Sequence, residues 1–373
     1  MIGLKNNYAD ETTGVHGFPF GTEVKTKHGW KKVEDGDEKK DLLLLASRET
    51  LEIHYGAPER KVLERYVGLM SKFETDQIDL FVPAASDLSV HVRTRTNNEE
   101  GYKPMLQIAM DARTRYDLLP VSGFQYSGGN TLKFVLPEVT FTQKGKAKTL
   151  PEKEIDLAAW LEFFGFWLAD GCCRGLQRDG KVHSFDVYIK QKAGNDDYIL
   201  SLMRNIGFEP TVEYYQSGNY SNYCIRSRQL WEYLRQFGKS SDNYVPEEFL
   251  SLAPEDLEAL FKGYTNGDSS KNGDCIVLSS KSKRLMDNMQ ELVLKLDGSV
   301  AQVRKVTRKK SNGSCSVLWR LLYVPQEKRR RKHYVQYGEP QTAHYEGDLC
   351  SLCAGEDELV LLRRGGKVMW ATC

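Results

Sequence analysis

The spacing of apolar and polar residues changes character near residue 156. From Gly17 to about residue 119 the chain reads as short strands and turns. Residues 22–26 alternate, His28-Gly29 turns, and residues 30–33 return, which is a hairpin pattern. Further strands are predicted at 42–46, 78–82 and 88–93. Residues 120–155 hold Gly128-Gly129, Pro137, Pro151 and a lysine-rich patch, and read as a connection. No helix follows the glycine pair, so it is given no phosphate-binding role. Residues 1–16 are polar and read as a poorly ordered extension.

From residue 157 the period becomes helical. LAAWLEFFGFWLAD (157–170) is apolar on almost every side, so burial on more than one face is expected. There follow a strand at 184–191, an amphipathic helix at 196–207 ended by Gly207, strands near 211–216 and 222–227, and a helix at 228–237 ended by Gly238. The order then recurs. Pro254, with Glu255 and Asp256 in the first turn, opens a helix that runs to Asp268. A strand at 275–280, a helix at 282–296 and strands near 299–306 and 316–323 come next. Two units share the order helix, strand, helix, strand, strand, which suggests a pseudo-dimer inside one chain. Residues 336–373 return to strand character, with 359–363 and 367–371 joined by a Gly365-Gly366 turn.

Two helices end alike, in Gly165-Phe-Trp-Leu-Ala169-Asp170 and Gly263-Tyr-Thr-Asn-Gly267-Asp268. Small residues four apart lie on one helix face and let two helix backbones approach closely. The Asp that follows each pair sits at a helix C-terminus, where the macrodipole disfavours an anion. If the helices pack side by side, two carboxylates meet at the foot of the seam. Both placements cost energy unless a cation is bound, and Mg²⁺ or another divalent cation takes carboxylate and phosphate oxygens together. Paired carboxylates that share metals suit phosphodiester hydrolysis. The bland alternative is an apolar core helix with a solvated Asp at its end; two occurrences 98 residues apart in matched repeats favour the chemical reading.

Composition adds limits. The 373 residues carry 52 basic and 51 acidic side chains, a net charge of +1, which alone argues against a general polyanion binder. The charge is segregated, however. Residues 300–335 contain eleven Lys or Arg and one acid, Glu327, so the rest of the chain carries about −9. A local basic stripe on a neutral protein suits a site-directed DNA binder, and equally a solvated hairpin. No apolar run is long enough for a membrane helix and no apolar leader opens the chain, so no membrane partner is expected. Eight cysteines fit no dense disulfide framework, and an intracellular setting is expected. Cys350-x-x-Cys353 without a second pair is a weak zinc signal, and a buried strand cysteine is the better reading.

The two Asp segments resemble the paired motifs of LAGLIDADG homing endonucleases in their two-motif, single-chain form. The surroundings agree: VPEEFLSLAPEDLEALFKGYTNGDSS (245–270) looks like the linker and second motif, and CIVLSSKSKRLMDNMQELVLKL (275–296) like the strand and helix after it. The resemblance covers about 155–325. It implies an α+β fold with a pseudo-two-fold pair of αββαββα repeats, at about 155–240 and 245–325 within a domain at 151–335. It further implies metal-dependent double-strand cleavage of duplex DNA at a long specific site by a monomer. Asp170 and Asp268 would bind Mg²⁺ or another divalent cation, Lys239 would polarise the reacting water, and Gly165, Ala169, Gly263 and Gly267 would pack the helices. Lys190, Lys192, Lys281, Arg304, Lys305 and Arg320 would face DNA; the plainer reading is the solvated side of a sheet. Ser269 stands where the family has Gly after the second Asp, whereas Gly171 is kept, and it is expected to disturb that turn.

The outer segments resemble an intein, the Hint fold that often carries such an endonuclease. GTEVKTKHGWKKVEDGD (21–37), DQIDLFVPAASDLSVHVRTR (76–95) and DLCSLCAGEDELVLLRRGGKVMWATC (348–373) look like its blocks. An all-β Hint-like domain from 17–150 (with connector) and 336–373 is therefore expected. The run around 118–137 and AAWLEFFGFWLADG look like inteins of phage proteins, so a phage gene in a bacterial host is one setting. The splicing residues do not match: Gly17 stands at the nucleophile, Leu88 precedes His91 where Thr is required, and Thr372-Cys373 replaces the terminal Asn. This favours a splicing-dead scaffold and a freestanding endonuclease. A splicing element, or a catalytically weak DNA-binding or maturase-like derivative, are the alternatives.

Overall fold

The computed structural model describes residues 17–372 other than 75–77, 85, 87, 95, 98, 105–115, 119–123, 144, 179–180, 193, 216–219, 298–300, 310–312, 326–327 and 329–340. The extension at 1–16 and Cys373 lie outside the described residues, as does part of the basic run 300–335. Among the described helices none is long and apolar enough to cross a membrane. The chain divides into two compact units, one made of both chain ends (to Gly123 and from Arg329) and one of residues 124–328.

The first unit is built of strands, with one 3-10 turn, Val33–Asp35, among its described residues. The two chain ends interleave within it. Glu358–Arg364 pairs with Lys367–Ala371, Glu23–Thr26 and Leu43–Ser47, and Gln341–Cys353 pairs over its full length with Arg60–Glu74. Gly365 and Gly366 both take positive φ, +56° and +79°, which a two-residue hairpin of the twist-matching type requires. Arg363 is buried and its guanidinium donates to both Glu23 carboxylate oxygens at 2.6 and 2.8 Å while lying over the Trp30 ring. That bidentate, charge-assisted pair joins the chain ends. Phe18, Val24, Leu43, Leu80, Val90, Leu352 and Leu362 share its core.

The second unit begins earlier than the sequence suggested. Its first strands are β1 (Lys133–Leu136), β2 (Val139–Gln143), β3 (Lys146–Leu150) and β4 (Lys153–Asp156), with β1 on β4 and β2 on β3. Residues 124–150, read as a connector, belong here because Phe134 and Leu136 enter its core; the Phe134 ring stacks on Trp160 at 4.0 Å. Gly128-Gly129 also has a packing reason. Gly128 sits at φ +64° with the Leu252 carbonyl oxygen 2.4 Å from where a Cβ would stand.

Two runs of matched elements follow. The first is α1 (Leu157–Asp170), β5 (Gly171–Arg174), β6 (Asp186–Lys192), α2 (Asp196–Asn205), β7 (Thr211–Tyr215), β8 (Tyr220–Arg226) and α3 (Arg228–Leu234). After a short α4 (Glu247–Leu250) come α5 (Pro254–Gly267), β9 (Ser269–Asn272), β10 (Cys275–Ser280), α6 (Lys283–Asp297), β11 (Gln302–Lys309) and β12 (Cys315–Tyr323). Each run makes a four-stranded antiparallel sheet in the same order, β5-β6-β8-β7 and β9-β10-β12-β11. One cluster spans both runs, with α1 at its centre; Trp160, Phe163, Phe164, Phe166 and Trp167 are nearly solvent-free. Asp156 caps α1 by accepting from the Ala159 amide, and Pro254 occupies the first turn of α5, where its missing N–H costs nothing.

Candidate functional site

Helices α1 and α5 meet backbone to backbone. A Cβ at Gly165 would stand 2.2 Å from the Leu260 carbonyl oxygen, and one at Gly263 only 2.0 Å from that of Glu162. One turn on, a Cβ at Gly267 would meet the Cβ of Ala169 at 2.5 Å. The four small residues picked out by spacing thus line one seam. It admits no added carbon, since C···O contacts closer than about 3.3 Å are repulsive.

The seam delivers Asp170 and Asp268 to one place. Asp170 is the last residue of α1, and Asp268 donates its amide to the Tyr264 carbonyl as it leaves α5. Burial first, and then the charge of Asp268, push the Asp170 carboxyl up to about 7; a hydrogen bond from Gln191 opposes this. Burial likewise raises Asp268. Tyr264 lies beneath, its hydroxyl donating to the Ser279 carbonyl at 2.9 Å; burial and both carboxylates hold its proton on.

Gln191, which the sequence reading passed over, closes the seam. Its amide donates to Asp170 Oδ2 at 2.6 Å and to the Gly267 carbonyl at 3.3 Å, touching both helices at once. A signal for it existed. Val187 and Ile189 set the inward phase of β6, so Gln191 is a polar residue at an inward position.

Strand register matches the two halves. Gly171 faces Ile189 and Ser269 faces Leu278, so Gln191 corresponds to Ser280 and Lys192 to Lys281. Lys281, Arg308 and Arg320 line a cavity of about 360 Å³ together with Asp268, Tyr264, Ser240 and Asn243. Lys239 is exposed and is not among the residues lining that cavity; its neighbour Ser240 is. The cations that share this cavity with Asp268 are Lys281, Arg308 and Arg320.

The two turns differ: α1 runs through Asp170 to its cap at Gly171, whereas α5 ends at Gly267 and Asp268 has already left the helix, at φ −140° and ψ 76°, ahead of Ser269. The Ser269 hydroxyl donates to the Thr265 carbonyl at 2.7 Å. At the matched Gly171 a Cβ would lie 2.1 Å from the Trp167 ring and 2.5 Å from the Trp167 carbonyl oxygen, so side chain and backbone both exclude it there.

The open faces of the sheets carry most of the expected cations. In the first sheet Tyr188, Lys190 and Lys192 project away from the core-facing Val187 and Ile189. In the second, Arg304 pairs with Arg320 and Arg308 with Ser316 on one face. Lys305 is a correction. It pairs with Trp319, which packs towards the core, and the two-residue period of a strand turns it to the face opposite Arg304. Arg308 takes its place on the open face. Among the described residues no group of three or more His, Cys, Asp or Glu side chains could hold a metal, so a cation here would rest on the two carboxylates, water and substrate. Cys350 and Cys353 are buried in their strand.

No known family's sequence profile matches the chain. Among curated proteins, a 283-residue stretch (73% of the chain) is 25% identical to part of the ATP-dependent Clp protease proteolytic subunit of Chlamydomonas moewusii, and covers 27% of that protein. A stretch of 162 residues (40% of the chain) is 28% identical to part of the DNA-directed RNA polymerase subunit beta C-terminal section of Stigeoclonium helveticum, covering 14% of it. The chain thus spans about a quarter or less of the length of either relative. Among solved structures, the homing endonuclease I-DmoI in complex with DNA and Mn aligns at a TM-score of 0.34 and 16% identity over 49% of this chain and 98% of that one. The N-terminal LAGLIDADG domain of DUF199/WhiA aligns at 0.30 and 10% over 48% and 84%.

Proposed function

We propose that the second unit is a site-specific DNA endonuclease of the LAGLIDADG type, cutting both strands of a duplex by metal-dependent phosphodiester hydrolysis. The observation that carries this reading is the glycine seam, which holds two desolvated carboxylates together at two helix C-termini. Nothing in the hydrophobic core requires that arrangement, and it costs stability in the absence of a cation. The donor set fits a divalent metal: Asp170 and Asp268 would hold Mg²⁺ or a similar ion, with DNA phosphate oxygens and water completing its shell. Such an ion would act as a Lewis acid on phosphoryl oxygen and lower the pKa of bound water.

The chain's own side chains would do the rest. Gln191 holds the Asp170 carboxylate across the seam. Lys281, which lines the same cavity as Asp268, and Lys192 at the matched position would stabilise negative charge building on the phosphate, the part the sequence reading gave to Lys239. Lys190, Arg304, Arg308 and Arg320 on the open faces would contact backbone or base edges. With one half addressing each strand as a pseudo-two-fold pair, a monomer suffices.

The first unit is proposed to be a Hint-type scaffold without splicing activity. Gly17 sits at φ +139°, and a Cβ there would meet that of Leu349 at 3.0 Å, so the Cys or Ser nucleophile of a splicing element would be strained at this position. The two curated relatives fit a separable module. Their matched shares together exceed the chain, so they overlap, yet one protein is named as a protease subunit and the other as an RNA polymerase subunit.

The test is cleavage of plasmids carrying the joined flanks of the gene, and of a plasmid library with randomised inserts, in Mg²⁺ and in chelator. Linear product in Mg²⁺, lost in Asp170→Asn and Asp268→Asn, is the expected result. Specific binding without cutting would sink the nuclease reading and leave a DNA-binding protein.

A further inference from the structure

The β2–β3 hairpin has no counterpart in the second repeat and serves no part of the seam. Between residues 139 and 150 the sequence holds three lysines, three threonines and no acid; Glu138 and Glu152 stand outside it. Most of its described residues are exposed. Register places Phe141 with Lys148 and Gln143 with Lys146, so both described lysines project on one face.

That face is fixed in place. Arg228, at the start of α3, lies between two rings, 4.2 Å from Phe141 of the hairpin and 4.6 Å from Phe185, the residue leading into β6. Buried Gln229 donates to the carbonyls of Leu136, Pro137 and Pro151 at the hairpin's base. An unpacked lysine-rich loop would need neither anchor. Through Arg228 the hairpin is held beside Phe185, at the start of β6 in the first sheet.

We infer that this hairpin is a second DNA-contacting element, an arm that grips the phosphate backbone of duplex flanking the cleavage site. Five-residue strands reach about 17 Å, about five base pairs of duplex at 3.4 Å each. The lysine ammonium groups on this face suit phosphate oxygens, whereas Thr140, Thr142 and Thr149 lie on the other face; point charges of this kind contact the backbone and carry no base readout. It is present on one half only, so the footprint would extend further on that side.

The inference rests on the DNA reading above, and one experiment separates the two. Full-length wild type and Lys146→Ala/Lys148→Ala are titrated onto a fluorescein-labelled duplex of mixed sequence, without divalent metal, across a range of KCl. Equal melting temperatures confirm that the variant is folded. Wild type is expected to bind, and the variant's log–log salt slope to be shallower by about 1.8, since each phosphate that a lysine no longer neutralises lowers it by about 0.9. Arg304→Ala/Arg320→Ala, on the opposite half, serves as the comparison. Equal slopes for wild type and the hairpin variant, with the Arg variant reduced, would overturn the arm alone. No binding by wild type at the lowest salt would overturn the DNA reading and the arm with it.

Discussion

Replacing Gly263 by Ala sets two known effects against each other, and the structure decides the sign. In an exposed helix interior the change is favourable by about 1 kcal/mol, because glycine loses more backbone freedom on folding. Here the new Cβ would lie 2.0 Å from the Glu162 carbonyl oxygen and 3.0 Å from the Phe166 amide nitrogen. Both are backbone atoms of a helix buried on nearly every side, so no rotamer change removes the clash. Relief requires α1 and α5 to part by more than about 1 Å, which opens the packing around Phe163, Phe166, Leu260 and Tyr264. Overpacking typically costs about 1–3 kcal/mol, with the upper end fitting backbone against backbone. Net of the helix gain, destabilisation of about 2 kcal/mol is expected. For a unit of about 200 residues that lowers the melting temperature by about 4–8 °C.

Scanning calorimetry in chelator reads this directly, with Gly267→Ala alongside. The latter meets a side-chain methyl, so adding Ala169→Gly should restore most of what it loses. A Gly263→Ala protein that melts at the wild-type temperature or above would refute the seam and the carboxylate pairing built on it.

Three further outcomes follow from the same geometry. Asp170→Asn should stabilise the metal-free protein above neutral pH: a carboxyl raised from 3.8 to about 7 on folding gives wild type a contribution present at pH 4 and lost as pH rises through 7, which Asn does not lose. The full difference is about 4 kcal/mol; allowing for solvent screening of a half-buried group leaves about 2, to be read by urea denaturation at pH 4.5 and 8, and equal curves at pH 8 would contradict it. In salt-dependent DNA binding, Arg304→Ala and Arg320→Ala should each lower the slope by about 0.9 while Lys305→Ala leaves it unchanged; a Lys305 effect equal to that of Arg304 would reverse the face assignment. Lys295, buried in α6, donates to Glu291 Oε1 at 2.7 Å and to the Leu250 carbonyl at 2.6 Å, so Lys295→Met should cost about 3–5 kcal/mol and Lys295→Met/Glu291→Leu much less, by chemical denaturation.

The elements most legible in the sequence were those whose pattern is local. α1 spans the predicted residues, and α5 starts at its proline because composition and capping agree there. Strands were missed where periodicity carries little signal. GCCR and SSKN, which follow the two Asp residues, are four-residue edge strands with no buried alternation. The long Arg60–Glu74 strand is exposed along much of one face, with Leu63, Val67 and Leu69 open to solvent, and its partner lies nearly 300 residues away. Among site residues, spacing found the seam because close approach leaves only small side chains possible. It could not find that Lys281 shares a cavity with Asp268, which depends on how β10 follows α5 in space. Arg304 and Lys305 looked equivalent as neighbours in a basic run, and only register separates them.

The two halves differ in a way that bears on chemistry. Both keep the small residues and the Asp, since the seam admits nothing larger. Around them the substitutions are paired: Trp167 goes with Gly171 and Thr265 with Ser269, each pair filling the same turn differently. Gln191 on one side becomes Ser280 on the other, too short to reach across in the same way, and Arg308 and Arg320 open onto the cavity at Asp268. Asp170 is therefore tied by a neutral amide, whereas three cations line the cavity that Asp268 also lines. A cation near a phosphate favours developing negative charge more than an amide does. If the unit cuts DNA as proposed, the strand addressed through Asp268 is cut first, and a nicked intermediate accumulates. Time courses on supercoiled plasmid, with strand-specific end labels, would show open circles before linear product and one labelled strand ahead of the other; simultaneous loss of both labels would mean that the asymmetry is structural only.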